Sequence, residues 1–122
     1  MIIVRKLQFR GSKKDREFEA LFDTGASISC IRPEKAKGLG FIEKLREPLF
    51  AGVANGEKIE INQRILLEFF LDNIRMEDIF YLFPNLKREV IIGVYTMQKW
   101  HIILDPKKGK IITNPLVAEV WV

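Results

Sequence analysis

Cysteine and histidine are nearly absent: one of each, Cys30 and His101, in 122 residues. One cysteine excludes an internal disulfide framework. One cysteine with one histidine supplies no four-ligand N/S set for a structural zinc ion, and no metal or cofactor is expected. Long apolar runs are missing too, so no segment reads as a membrane-spanning helix. The opening stretch Met1-Ile2-Ile3-Val4 is too short for the core of a signal peptide, and no small-residue cleavage site follows. The expectation is a soluble, cytoplasmic protein with no membrane partner.

A strong charge bias is also missing. Twenty Lys+Arg against sixteen Asp+Glu give a net +4. The cations fall in small groups: Lys13/Lys14/Arg16, Lys35/Lys37, Lys87/Arg88 and Lys107/Lys108/Lys110. Each group sits at a predicted turn or helix end and reads as a solvated loop tip. Nucleic-acid binders interleave aromatics with cations on one exposed face. Here the phenylalanines lie inside apolar alternations and read as core, so no nucleic-acid partner is expected. Length and the 48% hydrophobic content suit one folded domain over residues 1–122.

What is present is a succession of short alternating segments. Residues 2–9 and 17–22 predict a hairpin around Gly11-Ser12-Lys13-Lys14-Asp15. Residues 28–31 predict a short strand. Residues 32–37 predict one or two helical turns, with Pro33 early and Gly38 or Gly40 at the end. Residues 49–54 and 58–61 flank Asn55-Gly56, a signature of a type I′ turn with positive φ at both residues. Strands over 64–71 and 76–83 surround Asp72-Asn73. A buried run, 89–92, ends at Gly93, and residues 94–100 predict a short helix. Strands at 102–104 and 110–113 follow, then a final one over 116–122. The fold class is mainly β: a closed or folded-over, barrel-like domain with one or two short helices.

The chemistry centres on Asp23-Thr24-Gly25, directly after the apolar Ala20-Leu21-Phe22. An apolar strand holds a carboxylate in place and partly desolvates it. The threonine hydroxyl can fix the loop, and the glycine lets another backbone come close. The same three residues also suit an ordinary turn. Elsewhere, Cys30 reads as a small buried hydrophobe and His101 as a surface or capping residue. Trp100 and Trp121 read as core or interface, and Glu77-Asp78 as a solvated face.

Leu21-Phe22-Asp23-Thr24-Gly25-Ala26-Ser27 resembles the active-site loop of the retroviral-type aspartic proteases, the single-domain retropepsin family. Val90-Ile91-Ile92-Gly93 is similar to the apolar element before that family's helix. Val53-Ala54-Asn55-Gly56-Glu57-Lys58-Ile59 is similar to its flap hairpin. The three occur in the family's order within residues 2–112.

The resemblance implies an acid-protease barrel and an aspartic endopeptidase acting on a peptide or protein substrate. Such a site needs two carboxylates on one water, sharing a proton. This chain has one Asp-Thr-Gly, so the resemblance implies a homodimer in which each copy supplies Asp23. Thr24 would link the two loops, and Gly25 would offer its carbonyl to substrate. Ala26 and Ser27 would line the floor. Val53, Ala54, Asn55 and Gly56 would close over the peptide, and Ile91, Ile92 and Gly93 would pack under the Asp loop and add wall. The chain departs from the family in lacking a glycine-rich flap tip and in placing Val94 where the viral enzymes carry a bracing arginine. Residues 116–122 could pair with a second copy or beside residues 2–7 of their own chain. Two other readings stand beside the protease: a proteolytically inactive retropepsin-fold dimer that binds or assembles proteins, and a basic β domain that binds nucleic acid. The intact Asp-Thr-Gly favours the protease, because a scaffold has no need of that carboxylate.

Overall fold

Period-two alternation builds most of the molecule, which a computed structural model describes over residues 1–122. β1 (Ile2–Arg10) and β2 (Asp15–Asp23) pair as an antiparallel hairpin. Ile3, Leu7 and Phe9 of β1 face inward, as do Phe18, Ala20 and Phe22 of β2. A loop leads to the short β3 (Cys30–Ile31) and to α1 (Pro33–Ala36), one turn with proline in its first position. β4 (Ile42–Gly52), β5 (Lys58–Leu71) and β6 (Ile74–Leu82) form an antiparallel meander. β7 (Val90–Ile92) runs into α2 (Val94–Lys99), and β8 (Ile103–Asp105) pairs only with β9 (Lys110–Ile112).

The strands join in the order β1-β2-β7-β3-β6-β5, and β5 returns to β1 through Phe9–Phe69 and Arg10–Glu68. This closes a six-stranded barrel, with β4 attached outside along β5. Phe9, Phe18, Phe69 and Phe80 meet inside it, with neighbouring ring centroids 5.7 to 6.0 Å apart. Those separations suit tilted and edge-to-face aromatic packing. β7 lies between β2, to which it is parallel, and β3, to which it is antiparallel. That arrangement sets the end of β2 at Asp23 beside the end of β7 at Gly93.

The mainly β barrel and its two short helices agree with the sequence pattern, but four details differ. β4 starts at Ile42, seven residues earlier than the alternation suggests. Its first half is charged and carries Pro48, which an outer strand tolerates beside the break in register between Lys44 and Leu49. β5 is one long strand rather than two. The 53–56 turn has positive φ only at Gly56 (86°), while Asp72 (51°) and Asn73 (62°) adopt the paired left-handed conformation. The expected final strand over 116–122 does not form. Pro115 starts a 3₁₀ turn to Ala118, and Asn114 Oδ1 accepts from Leu116 N at 3.0 Å. Residues 119–122 have no strand beside them and lie exposed, Trp121 included.

Candidate active site

Asp23 is the last residue of β2, placed there by fully buried neighbours at Ala20 and Phe22. Its carboxylate is half-buried, and Oδ1 accepts from Gly25 N at 2.8 Å. Asp23 O accepts from Ala26 N at 3.1 Å, and Thr24 N donates to Met1 O at 3.2 Å. Thr24 and Gly25 are exposed. The loop is also stitched to the start of α2. Val94 N donates to Ala26 O at 2.7 Å and Tyr95 N to Ser27 O at 3.1 Å. Gly93 makes this approach possible: a Cβ there would lie 2.4 Å from Ile28 O and 2.9 Å from Ala26 O.

Under the loop runs a chain of buried hydroxyls. Gly93 N donates to Ser29 Oγ at 3.0 Å, Ser29 Oγ lies 2.6 Å from Thr96 Oγ1, and Thr96 donates to Asp78 Oδ2 at 2.7 Å. The direction follows from proton counting. Thr96 has one hydroxyl proton, and the carboxylate takes it, so Ser29 must donate to Thr96 and accept from Gly93. Asp78 Oδ1 accepts from Ile79 N at 2.8 Å, and Lys99 Nζ lies 3.9 Å away. This relay ties Gly93, at the end of β7, to Thr96 of α2 and Asp78 of β6. It also overturns the reading of Asp78 as part of a solvated face. Ser29 and Thr96 carry no motif that marks them in the sequence.

Beside the loop opens a cleft of about 650 Å³. It is lined by Gly25, Ala26 and Ser27, by residues 49–53 at the end of β4, and by Phe83 with residues 85–88. The structure therefore brings Ala26, Ser27 and Val53 together next to Asp23. Ala54, Asn55 and Gly56 sit beyond the cleft, at the exposed tip of the β4–β5 hairpin. Ile91 lines the cleft, but Ile92 is placed differently: alternation along β7 turns it into the core at 0% exposure. Cys30 also lines the cleft, but burial pushes its thiol up to about 12, so it stays protonated and unreactive. Lys87 and Arg88, which read as a solvated tip, stand on the cleft rim.

The rim loop is anchored at both ends. Arg32 Nε donates to Leu86 O at 2.8 Å, its terminal nitrogen donates to Lys87 O, and Arg32 N donates to Glu89 O at 3.0 Å. Glu89 Oε1 accepts from Glu19 N at 2.9 Å, and Oε2 lies 3.2 Å from Lys35 Nζ. That backbone N–H, then Lys35 and Arg32, hold the Glu89 carboxyl below its usual range. No group of three or more His, Cys, Asp or Glu side chains converges to ligate a metal, and no helix is long and apolar enough to cross a membrane.

The family model for aspartyl proteases matches residues 8–96, a span that includes the Asp23 loop, the β4–β5 hairpin and Gly93. Among solved structures, the retroviral protease-like domain of Ddi1 from Leishmania major aligns with a TM-score of 0.68 at 20% identity, over 93% of this chain and 90% of that one. The protease of simian foamy virus (mac) aligns with a TM-score of 0.48 at 14% identity, over 77% of this chain and 92% of that one. No curated protein matches the sequence.

Proposed function

Because the chain belongs to the aspartyl protease family and has the retropepsin-like fold, we propose that residues 1–122 act as one domain of a homodimeric aspartic endopeptidase. The observation that carries this reading is the Asp23 carboxylate, half-exposed beside a peptide-sized cleft and oriented by Gly25 N–H. The chain carries one Asp-Thr-Gly and no carboxylate of its own hydrogen-bonds Asp23, so this reading takes the second carboxylate from another copy.

The two Asp23 side chains share one proton, because like charges a few ångströms apart do not both ionise. The ionised carboxylate takes a proton from water as the oxygen attacks the peptide carbonyl carbon. The protonated one gives its proton to the carbonyl oxygen. The tetrahedral intermediate then collapses: the carboxylic acid formed in the first step protonates the leaving nitrogen as the C–N bond breaks, and the other carboxylate takes a hydroxyl proton from the intermediate, so the pair again holds one shared proton. The two apparent pKa values belong to the pair. Thr24 bridges the two loops, Gly25 offers its carbonyl to a substrate N–H, and Ala26 and Ser27 form the floor. The β4–β5 hairpin closes over an extended peptide, with Val53 in contact and Ala54, Asn55 and Gly56 at its tip. Recognition is then largely main-chain strand addition with apolar pockets.

The test is cleavage of an unbiased peptide library from about pH 3 to pH 8, where a shared-proton pair gives an acidic optimum. Wild type is compared with Asp23→Asn, and the statine-type inhibitor pepstatin is a third arm. Cleavage is expected in wild type, abolished in the variant and blocked by pepstatin. Cleavage that survives in Asp23→Asn contradicts the reading. No cleavage in either, with a dimer present, means a binding or assembly module.

A further inference from the structure

The cleft holds two formal charges in its lining, both positive and both on one rim: Lys87 and Arg88. Both also border a neighbouring groove with Glu17, Glu19 and Glu89, where Lys6 and Arg32 add two further cations, so carboxylates do not outnumber cations around them. We infer that the cleft selects peptides carrying an acidic side chain on one flank of the bond cut, with Lys87 and Arg88 as its specificity-determining residues. The inference rests on the reading of this cleft as a peptide site and names the class of peptide.

Three observations support it. First, the rim is built. Arg32 holds the Leu86 and Lys87 carbonyls, and Glu89 ties the end of the loop to β2 and α1. The backbone that carries both cations is therefore fixed before a ligand arrives, which lowers the ordering cost of binding. Second, the cations are available. Lys87 pairs with no carboxylate, and Arg88 meets only Glu19, at 3.5 Å and with both side chains about half exposed. An exposed pair of that kind contributes little and gives way to a bidentate carboxylate. Third, the spacing is set by the sheet. Ala20 pairs with Val90, and Arg88 reaches Glu19, four residues before Asp23 on β2. Strand rise along β2 puts Glu19, and with it the Arg88 end of the rim, roughly 13 Å from Asp23, a distance that an extended peptide spans with about four residues. Between them Leu49, Phe50, Phe83 and Leu86 offer apolar wall. The substrate class is an extended segment with apolar residues near the bond and Asp or Glu beyond. In a two-fold pair the second copy repeats the rim on the opposite flank.

Peptides identical except for Glu, Gln or Lys at that outer position test this in two assays. One is kcat/KM on the wild type. The other is Kd on Asp23→Asn by fluorescence anisotropy, which needs no turnover. Glu is expected to exceed Gln by about ten-fold at low salt, with Lys weaker still, and the gap should shrink at about 0.5 M salt. Lys87→Glu with Arg88→Glu is expected to reverse the order in favour of Lys. Lys87→Glu alone, which breaks no ion pair, narrows it and guards against a misfolded double variant. Equal affinity for all three peptides, an order that survives charge reversal, or no binding by any peptide overturns the inference. Cleavage without charge preference leaves the protease reading standing. Charge-selective binding without cleavage leaves this inference standing and removes the protease reading.

Discussion

At the scale of single residues, two glycines of the site do different jobs. A Cβ on Gly93 would overlap the Ile28 carbonyl, which is backbone and cannot yield. A Cβ on Gly25 would meet only Asp23 Oδ1, at 3.1 Å, the end of a side chain that can turn away. Gly93→Ala is therefore expected to cost about 3 kcal/mol in thermal or denaturant unfolding, as overpacking does. Gly25→Ala should stay within about 1 kcal/mol of wild type, yet lose hydrolysis because the carboxylate is displaced. The hydroxyl relay gives a second expectation. Thr96→Val keeps the shape but leaves Ser29 and Asp78 without their partner, at a cost of about 1–3 kcal/mol in the same unfolding measurement. Asp23, Thr24 and Gly25 were legible because three adjacent residues carry their chemistry in sequence. Ser29, Asp78 and Thr96 were not, since neutral hydroxyls far apart in the chain gain meaning only when β7 slots between β2 and β3. Ile92 went astray for a related reason: in a three-residue strand the two faces look alike until the neighbours are known.

At the scale of elements, strands with one buried face were easy to read, as β1, β2 and β6 show. β4 escaped because an outer strand has little to bury, and its charged first half mimics a loop. The paired positive φ expected at Asn55-Gly56 occurs at the other hairpin, Asp72-Asn73. Asn-Gly promises paired positive φ, but the longer 53–56 connection needs it only at Gly56, and the true two-residue link is Asp72-Asn73. The rim loop also carries a pH signature. Glu89 has its carboxyl held below the ordinary range by Glu19 N–H and Lys35. A lowered folded-state pKa adds stability above the unfolded value of 4.5 and loses it as pH falls through the folded value. Glu89→Gln should thus be less stable than wild type at neutral pH by about 0.5–1 kcal/mol, given its partial exposure. The gap should close as melts are repeated at progressively more acid pH. A gap that persists below both values would assign the effect to packing rather than charge.

At the scale of the whole molecule, the barrel buries a phenylalanine cluster, while apolar side chains near both chain termini stay exposed. Ile2, Leu116, Val120 and Trp121 are all exposed. Such surfaces suit contact with another chain, and the lone Asp23 asks for one. The barrel itself was legible, because many short strands punctuated by turns close most simply that way. The free tail was not: alternation in Leu116 to Val122 signals a strand, yet Pro115 starts a 3₁₀ turn and residues 119–122 pair with no strand. The central claim is that one site takes Asp23 from each of two chains. Co-refolding wild type with an equal amount of Asp23→Asn, at fixed total chain, tests it most directly. If both carboxylates are needed, mixed pairs are dead and about one quarter of the all-wild-type activity remains, the share of pairs with two wild-type copies. Activity of one half would mean that each chain hydrolyses with its own Asp23, and would contradict the account.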